Sequence, residues 1–106
     1  MSDDQWLQCI VYFNGACAYC GCTREQLTAD HLDPKSKGGR NAPENIVPAC
    51  NACNEEKADK DWREYMMSRD DFSQERMNRI FDWRRICRLA KVGPKDGGGK
   101  YASCCN

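Results

Sequence analysis

Cys17-Ala18-Tyr19-Cys20-Gly21 and Cys50-Asn51-Ala52-Cys53 are two C-x-x-C pairs with 29 residues between them. Two residues between thiols let a pair fold into a tight knuckle whose sulfurs point the same way, and two knuckles supply four ligands to one tetrahedral ion. A small residue at Gly21 suits a backbone that must turn back toward the sulfurs, and it favours Cys20 over Cys22 as the ligand. Four soft thiolates with no open position suit Zn2+ in a structural role. Iron held by the same thiolates and a pair of disulfides are the lesser alternatives. The fold is therefore expected to be built around a centre of Cys17, Cys20, Cys50 and Cys53.

The rest of the chain needs such a staple. Of 106 residues only 14 are Leu, Ile, Val or Phe, which leaves a thin aliphatic core, whereas nine are cysteine. A bound metal can contribute on the order of 10 kcal/mol to the folding of a small domain, enough to replace the missing core. The N-terminal Met1-Ser2-Asp3-Asp4-Gln5 shows no basic lead into an apolar run, so no secretory signal is read and the thiols are expected in a reducing cytoplasm. The odd cysteine count agrees, since full internal pairing is impossible. No apolar run approaches the ~18 residues that span a bilayer, so no membrane partner is expected.

Working outward, Trp6, Leu7, Cys9, Ile10 and Phe13 recur at helical spacing and predict a helix over Asp3 to Phe13, stopped by Asn14-Gly15. Thr23 to Gln26 has the residues of a single capped turn. Two short strands are expected, Leu27 to Leu32 and Asn45 to Val47, joined by a loop containing Pro34, Gly38-Gly39 and Pro43. Helices are predicted over Asn54 to Met67 and Phe72 to Val92, the second with Asp70-Asp71 as N-cap candidates and Gly93-Pro94 as its stop. This gives an α+β chain with one domain over residues 1–93 and a flexible tail over 94–106. Cys9 and Cys87 read as small buried hydrophobes, and Trp62, Phe81 and Trp83 as packing residues.

Sixteen basic and sixteen acidic residues cancel, yet the cancellation hides a gradient. Residues 72–91 carry six basic groups against two acidic, whereas residues 55–71 carry four against seven. The basic set Arg76, Arg79, Arg84, Arg85, Arg88 and Lys91 is either a solvated helix face or a phosphate-binding one. The choice depends on whether phosphate chemistry is found elsewhere.

Between the knuckles lies Asp30-His31, the only histidine of the chain. Asp30 and His31 alternate along a predicted strand, so the two side chains meet only near a bend, and Pro34 supplies one nearby. Asn54 follows the last thiol directly, at the start of a helix. The run Cys17-x-x-Cys20, Ala29-Asp30-His31-Leu32-x-Pro34-x-Ser36-Lys37-Gly38-Gly39 and Asn45-Ile46-Val47-Pro48-x-Cys50-x-x-Cys53-Asn54-x-x-Lys57 resembles the HNH endonucleases, the ββα-metal nucleases. The resemblance covers Cys17 to about Trp62, under half of the chain. It implies a small ββα-metal finger, a two-stranded hairpin on one helix, clamped by a four-cysteine zinc site and flanked here by N- and C-terminal helices.

The resemblance implies roles for particular residues. Asp30 matches the family's metal-binding acid, His31 its general base, and Asn45 the asparagine that ties the hairpin loop together. Asn54 stands where the last histidine of the name falls and would be the second ligand of a catalytic ion; Lys57 is structural or phosphate-facing. Many members have glycine where this chain has Ala58. The chemistry is self-consistent: phosphodiester hydrolysis needs a water-derived nucleophile and neutralisation of transition-state charge. Histidine is the side chain that accepts a proton near neutral pH. One carboxylate and one amide oxygen are hard ligands suited to a single Mg2+ or Mn2+. The expected function is a metal-dependent DNA endonuclease of weak sequence specificity, from a bacterial or phage-type intracellular setting. DNA backbone contacts are expected from Lys37 and Arg40, with Lys35, in the loop, from Lys57, and from Arg84 and Arg88, with Arg76, Arg79 and Arg85, in the last helix. The alternative is a non-catalytic, zinc-stapled binding module. Oligomeric state is not legible.

Overall fold

In a computed structural model, which describes residues 2–92, the first helix, α1 (Asp3–Tyr12), opens with a reciprocal capping box. Ser2 Oγ accepts from the Gln5 amide at 3.2 Å while Gln5 Oε1 accepts from the Ser2 amide at 2.9 Å, so two otherwise orphaned donors are satisfied. The helix stops where expected. Asn14 adopts φ of 58°, the Asn14 amide reaches the Val11 carbonyl and the Gly15 amide the Ile10 carbonyl, the double return of a Schellman cap. Residues 23–25 bend without closing the expected helical turn.

Two strands, β1 (Leu27–His31) and β2 (Ile46–Cys50), pair antiparallel with Leu27 opposite Cys50 and His31 opposite Ile46. The expected second strand, Asn45 to Val47, is displaced toward the C-terminus and runs through Pro48. A proline is tolerated because β2 has a single strand neighbour. Its carbonyl, on the free side, accepts the Ala18 amide at 2.8 Å and so joins the strand to the first cysteine knuckle. Asn45 stays outside β2 as the last residue of a short 3-10 turn, Pro43–Asn45.

The helix expected over Asn54 to Met67 is two helices, α2 (Asn51–Lys57) and α3 (Trp62–Ser68). Ala58 takes φ of 50°, which an L-residue cannot hold inside a helix, and Asp61 then caps the new one by accepting from the Arg63 and Glu64 amides. The last helix, α4 (Gln74–Val92), begins two residues later than expected. Asp71 is drawn into an ion pair with Arg69 at 2.7 Å, and Ser73 instead accepts the Arg76 amide through its hydroxyl. The predicted stop at Gly93-Pro94, the tail 94–106, Cys104 and Cys105 lie outside the described residues.

The core is aromatic more than aliphatic: Tyr19, Trp62, Tyr65 and Trp83 are buried around Phe13, Leu32 and Val47. Trp83 Nε1 donates to the carbonyls of Pro43 and Ile46, both at 3.0 Å, and its ring lies 5.4 Å from Tyr12 and 6.2 Å from Phe13. So α4 and α1 close together over the start of β2. Cys9 is buried in this cluster and Cys87 packs against it, the hydrophobe's role expected of both. No helix among the described residues is long and apolar enough to cross a membrane.

Candidate metal centre and carboxylate-amide seam

The sulfurs of Cys17, Cys20, Cys50 and Cys53 lie within 4.8 Å of one another. Bonds of about 2.3 Å to a tetrahedral Zn2+ set sulfur–sulfur separations near 3.8 Å, and Cys20 and Cys50 stand 3.8 Å apart. The four are positioned to bind a metal ion. The first knuckle is closed by the Gly21 amide on the Cys17 carbonyl at 2.9 Å, with Gly21 at φ of 79° as the turn demands. The second spans the end of β2 and the first turn of α2, Cys50 standing at the N-cap. Hydrogen bonding from Cys53 holds Cys17 well below the usual thiol range, against its burial, whereas burial pushes Cys20 up to about 11. A residue not singled out from the sequence completes this end. Arg69 Nη1 reaches Cys53 Sγ at 3.4 Å and the Tyr65 hydroxyl at 2.6 Å, setting a positive charge beside the cysteine cluster.

Beyond Cys53, Asn54 and Lys57 of α2 face β1. Asn54 Nδ2 donates to Thr28 Oγ1 at 2.9 Å, and one turn on, Lys57 Nζ donates to the His31 carbonyl at 2.8 Å and pairs with Asp30 Oδ2 at 3.4 Å. Thr28 and Asp30 are two apart on one strand, hence on one face, and Asn54 and Lys57 are three apart on one helix, hence on one face. The structure thus brings Asp30 and Asn54 to the same β1–α2 seam. Asp30 is 5% exposed, and burial pushes its carboxyl up against the opposing pull of Tyr19 and Lys57. Tyr19, from inside the first knuckle, donates its hydroxyl to Asp30 Oδ2 at 2.5 Å. Both of these partners fall on Oδ2.

His31 is placed differently. It ends β1, with its ring on the face opposite Asp30, and Nε2 lies 3.3 Å from Asn41 Oδ1. No hydrogen bond joins the ring to Asp30 or Asn54; the common element is Lys57, which touches the His31 carbonyl and the Asp30 carboxylate. Asn45 fastens the intervening loop: its Oδ1 accepts the Asp33 amide at 2.9 Å, and its Nδ2 donates to the Asp33 and Arg40 carbonyls at 3.0 and 2.9 Å. The loop closes so tightly that a Cβ on Gly39 would stand 1.7 Å from the Asp33 carbonyl oxygen.

The expected basic contacts divide. Lys57 is 1% exposed, so its ammonium serves the fold and is removed from the surface set. Lys37, Arg40, Arg84 and Arg88 line one open groove of about 490 Å3 together with Asp33, Glu44 and Asp61. Of these, Arg84 is turned inward on Asp33 at 3.3 Å, while Lys37, Arg40 and Arg88 are exposed. Elsewhere on α4, Arg76 donates to the Tyr19 carbonyl at 2.8 Å and Arg79 to the Tyr12 carbonyl at 3.1 Å, so much of this helix's charge bolts it to the knuckle and α1. Periodicity could not have separated these inward arginines from outward ones.

Residues 17–60 match the family model described as HNH endonuclease. The chain is also 35% identical over 97 residues to the "SPbeta prophage-derived putative HNH endonuclease YoqL" of Bacillus subtilis (strain 168). That match covers 78% of this chain and 41% of the relative, so the chain spans about two fifths of the relative's length.

Proposed function

We propose, from the premise that residues 17–60 belong to the HNH endonuclease family, that this chain is a metal-dependent endonuclease that nicks or cuts DNA with weak sequence specificity. The observation that carries the reading is the seam: a buried carboxylate and a side-chain amide are held across β1 and α2 directly behind a four-cysteine cluster. In this reading the cluster holds a structural Zn2+, and Asp30 Oδ1 and Asn54 Oδ1 are the protein ligands of one Mg2+ or Mn2+. When bound, that ion supplies charge neutralisation at the scissile phosphate. Tyr19 and Lys57 keep the Asp30 carboxylate in place by occupying its other oxygen. His31, at the strand end, takes a proton from the attacking water, and Asn45 holds the loop that follows it. Lys37, Arg40 and Arg88 meet the DNA backbone and position it without reading bases. Residues 1–93 form the working domain, in a bacterial or phage-type intracellular setting whose reducing conditions keep the four thiols available.

Zinc-loaded protein supplied with Mg2+ or Mn2+ is expected to nick supercoiled plasmid, and His31→Ala to abolish nicking while zinc content and far-UV circular dichroism stay unchanged. Equal nicking by both proteins would assign the activity to a contaminant. One observation favours a second reading, a non-catalytic binding module: the His31 ring engages Asn41 and makes no hydrogen bond to Asp30 or Asn54. Protein that binds DNA but nicks it with neither ion would support that reading.

A further inference from the structure

We infer that Thr28 is a positioning residue: it fixes the orientation of the Asn54 amide so that the amide oxygen, and not the nitrogen, is presented to a cation. This rests on the reading of Asp30 and Asn54 as ligands of a divalent ion. Ala49 lies opposite Thr28 in the strand register and is 0% exposed. The Thr28 hydroxyl donates to the Ala49 carbonyl at 3.0 Å. A hydroxyl carries a single proton, so toward any other neighbour its oxygen can only accept. That neighbour is Asn54, whose Nδ2 lies 2.9 Å away.

A carboxamide has two ends of nearly equal size, and its partners decide which way it points. Reversing Asn54 would set its Oδ1 against Thr28 Oγ1, two acceptors with no proton between them. The strand hydrogen bond therefore propagates through one hydroxyl to the amide and leaves Asn54 Oδ1 as its outward end. An oxygen is what a hard divalent cation requires, and an amide nitrogen cannot serve. Thr28 shares its strand face with Asp30, so three consecutive strand residues carry both a ligand and the device that orients its counterpart. Nothing in the sequence marks Thr28, because threonine is an ordinary strand residue.

Binding of Mn2+ to zinc-loaded full-length protein, followed by the loss of the free-ion electron paramagnetic resonance signal, tests this without any turnover. Thr28→Val is expected to weaken Mn2+ binding about tenfold, the lower end for loss of a partner that orients a metal ligand. Thr28→Ser should bind as the wild type does, with zinc content unchanged in both. In an Asn54→Asp background the orientation no longer matters, because a carboxylate offers oxygen either way, and adding Thr28→Val should change affinity little. Wild-type affinity in Thr28→Val, or an equal loss in both backgrounds, would overturn the inference. In wild-type protein the Asn54 Nδ2 protons should also exchange slowly with solvent. Fast exchange would overturn the inference even if Thr28→Val failed to fold. Mn2+ binding untouched by both Asp30→Asn and Asn54→Ala would instead defeat the ligand reading, so the two failures are distinguishable.

Discussion

Lys57 brings a charged ammonium into a site only 1% exposed, where an unpaired ion is strongly disfavoured. It is tolerated because its Nζ has an acceptor in the His31 carbonyl and a counter-ion in Asp30, itself bonded by Tyr19. Removing one member strands the other. Lys57→Met is therefore expected to cost about 3–5 kcal/mol in urea unfolding of the zinc-loaded protein; a loss below about 1 kcal/mol would mean that water reaches the pair. Tyr19→Phe removes one hydrogen bond to a carboxylate that stays paired, so a smaller loss of about 1–3 kcal/mol is expected in the same measurement. The motif located Lys57, but its burial was not legible, since a lysine in a helix ordinarily reads as surface. Tyr19 was hidden for a related reason: between two cysteines it looks like a spacer, and only the third dimension brings its hydroxyl to Asp30.

Among the elements, the division of α2 from α3 is instructive. Both halves have helical spacing, and the chain's own residues hide the break because alanine is the best helix former; the glycine that many family members carry where this chain has Ala58 is the one hint of a positive φ. Asp61, which the expected single helix over Asn54 to Met67 ran through, is the residue type of an N-cap and serves as one. Partial burial pushes the Asp61 carboxyl up, but hydrogen bonds from the Glu64 amide and from Arg63 outweigh it and hold the group below its usual range. The sign follows: stabilisation is complete above the unfolded value of about 3.9 and is lost as pH falls through the depressed folded one. Asp61→Ala should cost about 1 kcal/mol near pH 7, and the gap between variant and wild-type unfolding midpoints should close below about pH 4. A gap independent of pH would show that the carboxylate charge is not what caps α3. For α4, composition announced a basic helix but could not say that Arg76, Arg79 and Arg84 point inward, because the partners of the first two are backbone carbonyls that no sequence pattern displays.

At the scale of the whole molecule, two C-x-x-C pairs 29 residues apart were enough to bring the strands, α2 and the knuckles together on paper. Spacing of this kind survives translation into structure because four sulfurs must meet at one point, whereas strand ends and helix starts answer to many weak preferences. Chelation of the zinc-loaded protein is expected to abolish its cooperative thermal transition, consistent with a metal contribution on the order of 10 kcal/mol; an unchanged transition would show that the aromatic core suffices. The groove yields a different expectation. Lys37→Ala and Arg88→Ala should each weaken DNA binding to a similar degree on any sequence and reduce the dependence of log affinity on log salt by about one, as measured by fluorescence anisotropy. A sequence-selective loss would place base readout in the groove. The clasp of Trp83 on the Pro43 and Ile46 carbonyls bears on modularity. The family-matching stretch, 17–60, contains neither Trp83 nor the Tyr12 and Phe13 rings that cover it. Excised as a cassette for fusion to another protein, that stretch would carry an uncovered apolar flank, and the Pro43 and Ile46 carbonyls would lose the Trp83 indole donor. Any transplant should therefore take α1 and α4 along with the family-matching stretch.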